Sequence, residues 1–443
     1  MRGLARFPNL LTSRLTRNPL KRVAVEQHGA PQPAARSQTD AVGLAQFAMN
    51  LKRGSSSGRP MRDRGLILPV RSESQDDQHR QTYIGKGQFL IRQEQWDVLG
   101  KLIRETDRNR EMLADGTALA ELLSQGARSD FVAAAEASNA AGEQPCGSIV
   151  ASLEEALDDH PRCWGVAVVV AQAHMDLGLI SLGPRRPTSR PSTDETQFRY
   201  HFRRAAEILD PFCAIEEDSA ILAKARCDLL LGDPAAKSRV CDDYEDLIDL
   251  SPTNPTYLRQ FGLHLLPRWF GSYEMLDDMA HRTAEQVEDI WGEGGYTWVW
   301  FDALRAVPEL ASRLDIDRYI EGMRDIVEGH GTQVVVNQIT AHVAIANCCA
   351  SAPDDLSADG RRNRKKIFDN LHWLLTEHMR ELHPRPWAET QQSPFAALPA
   401  PGVLSEEGES VARCIISRHF NRELAAGHIV AFTPDGIELR DPD

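Results

Sequence analysis

The 443-residue chain lacks the short motifs that usually announce chemistry. It holds no glycine-rich phosphate loop, no nucleophile elbow and no dinucleotide-binding fingerprint. Its eight cysteines, Cys146, Cys163, Cys213, Cys227, Cys241, Cys348, Cys349 and Cys414, form no Cys-x-x-Cys pair and no Cys/His set at zinc-ligand spacing. That scatter excludes a disulfide scaffold and predicts free thiols in a reducing, cytoplasmic setting. No apolar run reaches 18 residues. The longest, from Trp164 to Gly183, is interrupted by Gln172, His174 and Asp176, so no membrane span is expected. Aromatics are few, 7% of the chain, which makes their placement informative.

Positive charge is scarce outside the first residues. The net charge is −14, but residues 1–75 carry 13 Lys/Arg against 4 Asp/Glu, and the remainder carries 37 against 60. An acidic body repels a phosphate backbone, so nucleic acid is expected to bind, if at all, through the basic arm or a local patch. The opening stretch, MRGLARFPNLLTSRLTRNPLKR, has six basic residues and no continuous apolar core. It is no secretory signal; it resembles an organellar presequence in composition, but a plain basic tail or an upstream start is the expected reading. Gly54-Ser-Ser-Ser-Gly58-Arg-Pro60 reads as a flexible linker. Residues 1–80 are expected to be a mostly disordered basic arm.

From residue 84 onward the apolar residues step by three and four. Tyr273, Leu276, Met279, Ala280, Thr283, Ala284, Val287, Ile290 and Trp291 make one helical stripe. Ile316–Val327, Phe198–Leu209 and Ile367–Leu382 make others, and 334–346 is apolar nearly all round, as in a helix buried on several sides. Ser192-x-x-Glu195 reads as a capping box and Asn254-Pro255 as an N-cap followed by a first-turn proline. About a dozen helices are expected between 84 and 425. Ile429–Phe432 and Ile437–Leu439, joined through Thr433-Pro-Asp-Gly436, predict a small terminal hairpin over 426–443.

Three segments share a phrase, an amphipathic helix ending in proline. Leu153-Glu-Glu-Ala-Leu157 leads to Pro161, Phe202-Arg-Arg-Ala-Ala206 to Pro211, and Tyr244-Glu-Asp-Leu-Ile248 to Pro252. Spacings of 50 and 41 residues are the scale of helical-hairpin repeats. Leu258, Phe261, Gly262 and Leu265 follow the order of a first tetratricopeptide helix. Each such hairpin has more apolar surface than it can bury alone, so neighbours stack. The expected fold class is therefore all-α, an irregular tetratricopeptide-like helical-hairpin solenoid with a small C-terminal β-hairpin and a disordered N-terminal arm.

Trp96-x-x-Leu99 through Asp115-Gly116, the Phe202-Arg-Arg-Ala phrase, and Leu266-Pro-Arg-Trp-Phe-Gly-Ser-Tyr273 together resemble an uncharacterised bacterial family, a domain of unknown function with tetratricopeptide-like helices. The resemblance spans about residues 84–350 and implies that fold. It implies no catalytic residues. Glycine is usual where this chain has Phe270, a departure that bears on the turn there.

The densest chemical feature is aromatic: Trp269, Phe270, Tyr273, Trp291, Tyr296, Trp298, Trp300 and Phe301. With Arg259, Arg268 and Arg282 nearby, a binding groove would draw on Arg259, Arg268, Trp269, Tyr273, Arg282 and Trp298. The competing expectation is an aromatic lock inside the core. Arg185, Arg186 and Arg190 form one basic spot, and Arg361, Arg362, Arg364, Lys365 and Lys366 another at a helix start. His372, Glu377, His378 and His383 come nearest to a metal set, but His372 and His378 lie about 120° apart around a helix, so no metal and no cofactor is expected. Three readings of function follow. The first is a non-enzymatic module binding a protein segment through a concave face or the 267–301 segment. The second is an enzyme with an unrecognised pocket in that same region. The third is a structural subunit self-associating through its basic arm.

Overall fold

Helical periodicity becomes helices wherever it is sustained. The computed structural model describes residues 65–441, apart from 73, 142–146, 184–188, 190, 192–195, 349–355 and 397–400. Most of the basic arm, Arg185, Arg186, Arg190, Cys146, Cys349 and the Ser192–Glu195 capping box lie outside the described residues. The described chain is mostly helical, with a small three-stranded sheet near its C-terminus.

The expected stripes recur as Thr196–Leu209, Tyr273–Gln286 and Ile316–His330, each burying its apolar face. Asn254 caps Pro255–His264, its side chain accepting from Thr256 N–H at 2.9 Å. Two stripes differ from expectation. The 273–291 pattern breaks at Val287 into Tyr273–Gln286 and the short Glu288–Trp291. The 367–382 pattern is split among the end of Ala358–Phe368, Leu371–Trp373 and a π-helical turn, Leu374–His378. A second π-turn, His342–Ala346, ends the buried Gln333–Ala341 helix.

Trp164–Ser181 packs most closely on Thr196–Leu209, and Ala220–Leu229 on Ala236–Leu250. Other close pairs skip helices in the sequence, Gln75–Arg92 with Leu119–Ala140 and Gly294–Ala306 with both Pro255–His264 and Tyr273–Gln286. The Trp164–Ser181 helix is long and apolar enough to cross a membrane by length and composition, but 78% of it is buried inside the protein, where it serves as a core helix. Pro255–His264 and Gly294–Ala306 touch at Gly262. A Cβ there would sit 1.8 Å from the Val299 carbonyl oxygen. Gly262→Val is expected to lower stability by about 1–3 kcal/mol or more, since backbone must move rather than a side-chain tip. Urea unfolding measures this, and an unchanged midpoint would refute the close contact.

The part of the expected arm that is described is built into the fold. The first helix, Gln75–Arg92, starts nine residues before 84 and is closed by a capping box of Ser74 and Asp77. Ahead of it, β1 (Leu66–Ile67) pairs in parallel with β2 (Ile429–Thr433), which pairs antiparallel with β3 (Gly436–Arg440). The expected hairpin is thus the C-terminal part of a sheet whose remaining strand comes from the other end of the chain. A lone two-stranded hairpin is marginal in water, and the added strand supplies the missing partner. Arg71 N–H donates to Leu382 O and Leu382 N–H to Pro69 O, both at 2.8 Å, and Arg71 pairs with Glu381. Residues 65–77 and 381–385 therefore hold each other across roughly 300 positions of sequence.

Candidate functional site

The aromatic-rich segment is core along most of its length. Gly294–Ala306 buries Tyr296, Trp298, Trp300 and Phe301 completely or nearly so, because neighbouring helices cover it on several sides. Trp298 is 0% exposed and packs on Trp291 and Phe301. It cannot touch a partner, which corrects its place among the expected binding residues. Residues 294–304 are all buried, so this stretch of the helix has no solvent-facing side.

Of the other five expected residues, three go to separate partners and two stay together. Arg282 is exposed and pairs with Glu245 at 3.1 Å, while Tyr273 carries the Arg313 guanidinium 5.2 Å above its ring. Arg259 leaves the aromatic surface to bind Asp302 at 2.9 Å, with its guanidinium 5.0 Å from the Phe301 ring. Only Arg268 and Trp269 stay together, and they meet a residue the sequence did not flag. The Phe395 ring lies 5.6 Å from Trp269 and 5.6 Å from the Arg268 guanidinium.

The turn that presents Arg268 and Trp269 is rigidly built. Trp269 N–H donates to Leu266 O at 2.8 Å and Phe270 N–H to His264 O at 3.1 Å. Phe270 is buried edge-on against His264 and has no positive φ, so a side chain fits where glycine is usual in the resembling family. The demand for glycine falls one residue later. A Cβ on Gly271 would lie 2.3 Å from Leu265 O. Ser272 then caps the next helix through Met275 N–H.

A polar ribbon runs across Leu119–Ala140, Trp164–Ser181, Ala220–Leu229, Pro255–His264 and Gly294–Ala306. On Leu119–Ala140, residues Glu121, Ser124 and Arg128 share one helical face. Arg128 pairs with Asp176 at 2.5 Å, and the Ser124 hydroxyl donates to Gln172 Oε1. Glu121 accepts from the Tyr257 hydroxyl at 2.9 Å. Lys224 Nζ donates to both Asp228 oxygens at 2.7 Å, and Gln260 Nε2 reaches Asp228 Oδ1 at 3.3 Å. One residue away, Arg259 joins Asp302, which also takes Arg305 at 2.6 Å. The ribbon counts four acids against four bases, the neutrality that partial burial demands. Burial works against the Lys224 ammonium, yet Asp228 and Glu121 raise its pKa above the ordinary value. Burial likewise works against the Asp302 carboxylate, and Arg259 and Arg305 together hold its pKa below the usual range.

The Pro384–Gln391 helix closes the end of the ribbon. Arg305 Nη2 donates to the backbone carbonyls of Glu389 at 2.7 Å and Gln392 at 3.0 Å. Trp387 donates its indole N–H to Asn337 Oδ1 at 2.9 Å, and Arg385 pairs with Glu389 and Asp77. A small cavity lies elsewhere, between Asp107, Arg110, Ser251, Asn254 and Tyr257. Its volume is about 10 Å³, room for a single water.

The remaining expected clusters are spoken for. In the basic run, Arg362 pairs with Asp359, Lys365 with Asp369 and Lys366 with Asp317, while Arg364 is buried. The chain's own acids answer that run, and Lys366→Ala is expected to change stability by less than about 1 kcal/mol in urea unfolding. His372 bonds His419 at 3.0 Å, His378 stacks edge-on with Trp373, and His383 pairs with Glu381. These histidines thus turn to separate partners, and among the described residues no three His, Cys, Asp or Glu side chains converge on a metal position.

Two signals could have found the missed residues. Asp302 and Arg305 are the charged pair inside an otherwise apolar helix, at the i, i+3 spacing of a buried ion pair. Phe395 follows Ser393-Pro394, a turn signature in a proline-rich stretch. No family model, curated protein or solved structure matches the chain.

Proposed function

We propose that the protein is a non-enzymatic interaction module of the tetratricopeptide-like kind, an irregular solenoid that takes a protein segment along the polar ribbon and the Arg268/Trp269 turn. The observation that carries this reading is the ribbon itself. It crosses five helices, from Leu119–Ala140 to Gly294–Ala306, and its side chains are already paired and oriented, with Ser124, Gln172, Tyr257 and Asp302 buried and Arg128, Asp176, Lys224, Asp228 and Gln260 partly exposed. A preformed surface of that length lowers the ordering cost of binding an extended partner. The close packing of Trp164–Ser181 on Thr196–Leu209 and of Ala220–Leu229 on Ala236–Leu250 supports the stacked-hairpin reading. The cavity between Asp107, Arg110, Ser251, Asn254 and Tyr257 admits one water and offers a small molecule little.

The test is affinity capture with mass spectrometry, comparing the natural chain with Gln260→Arg. Gln260 is half-buried at the middle of the ribbon, so the change adds bulk and charge there without opening the core. The expected result is loss of partners that the natural chain retains, with the thermal midpoint unchanged. Identical partner sets overturn the proposal.

A further inference from the structure

We propose that the Ser393–Ala396 turn is a tethered stand-in for the partner, and that the Arg268/Trp269 surface recognises a short peptide in which a proline-led turn displays an aromatic ring. The inference rests on the interaction-module reading and names the chemistry of what binds.

The turn is self-contained. Ala396 N–H donates to Ser393 O at 2.9 Å and Phe395 N–H to the Ser393 hydroxyl at 3.3 Å, with Pro394 fixing the backbone between them. Its one large apolar side chain, Phe395, faces the Trp269 ring at an interplanar angle of 46° and also the Arg268 guanidinium. Just upstream, Arg305 holds the Glu389 and Gln392 carbonyls, contacts to main chain that any sequence can make. Specificity therefore falls on the ring and the turn.

The receiving half owes little to the turn. Trp269 is set by the Leu266 carbonyl and by packing on His264 and Phe270. Remove the turn and that surface still stands. Phe395 itself is only half-buried, whereas Phe270 and Phe301 in the core are 1% exposed. A ring so placed gains limited burial energy and stays bound because its tether keeps its local concentration at about the millimolar level. A partner presenting the same turn with additional contacts along the ribbon can displace it.

The test supplies the turn from outside. The probe is the synthetic peptide acetyl-Gln-Gln-Ser-Pro-Phe-Ala-amide, a copy of residues 391–396, titrated against the full chain while the indole N–H resonances are followed by NMR. Phe395→Ala is expected to bind it at least tenfold more tightly than the natural chain does, and Phe395→Ala/Arg268→Ala to lose that gain. The same peptide with alanine in place of phenylalanine is expected not to bind. A second variant, Ser393→Gly/Pro394→Gly, loosens the turn while keeping the ring, and is expected to gain affinity too, which guards against a folding defect in the first. Equal binding to the natural chain and both variants, or no binding to either variant, overturns the inference. Arg268-independent binding overturns it as well. Partner capture with Gln260→Arg judges the module reading separately, because that residue lies outside the peptide's contacts.

Discussion

Asp302→Ala is expected to destabilise the protein by about 3–5 kcal/mol, the cost of leaving buried charge without its counter-ion. Asp302 is the single acid between Arg259 and Arg305, at 2.9 and 2.6 Å. It is 6% exposed, and the side chains of its two partners are 15% and 8% exposed. Removing it leaves two guanidiniums facing each other in a site that water scarcely enters. Asp302→Asn separates charge from shape, since it keeps the volume and part of the hydrogen bonding, and should lose somewhat less than alanine. High salt gives a further check. A surface pair fades within a Debye length of about 3 Å at 1 M salt, but a buried one is screened far less. The deficit should therefore persist in 1 M sodium chloride. A loss below about 1 kcal/mol in urea unfolding, or one that salt abolishes, would show that the network is solvated.

The same residue explains why the site was less legible than the fold. Helices such as Ile316–His330 announce themselves through spacing alone, because one face must be buried whatever covers it. Asn254-Pro255 marked a helix start for an equally local reason. The break at Val287 was hidden because the short Glu288–Trp291 helix still buries Trp291, so the apolar rhythm runs on past the interruption. Leu66–Ile67 could not be seen, since two residues carry no period. Nor could its pairing with Val430 and Ala431, which depends on distant chain.

Site geometry is harder still. The aromatic density around 269–301 was plain in the sequence, but burial decides its meaning, and burial depends on neighbours. Trp298 and Trp269 look alike in the sequence and both are buried, at 0% and 6% exposed, yet one is walled in by helices and the other is covered in part by Phe395. Arginine shows the same ambiguity. Arg282 pairs at the surface with Glu245, whereas Arg259 turns inward to a carboxylate 43 residues away. A folded chain assigns these partners through packing, and local composition does not encode the choice.

Acid is expected to unfold the protein well above the ordinary carboxylate range, because four buried histidines are held neutral. Burial lowers His264 and His201 to about 4 and His342 to about 3, and lowers His174 as well. His264 bonds the Tyr244 hydroxyl and His342 the Tyr319 hydroxyl, each at 2.9 Å, and His174 and His201 share a 3.0 Å Nδ1–Nδ1 contact. That contact needs one donor and one acceptor, which two neutral rings supply and two imidazoliums cannot. All four shifts are depressions, so the unfolded chain binds more protons and stability rises with pH. The contribution is complete above the unfolded value of about 6.5 and is lost as pH falls from there toward 4. Each histidine that stays neutral in the fold costs about 1.4 kcal/mol per pH unit where the unfolded chain is protonated, or about 4 kcal/mol per unit for His201, His264 and His342 together. Asp107, Asp243 and Asp246 oppose the trend, since burial raises their carboxyls and protonation relieves them. Urea midpoints at pH 7, 6 and 5 should fall steadily, with uptake of at least two protons on unfolding. A flat profile over that interval would mean that these rings are charged or solvated in the native state.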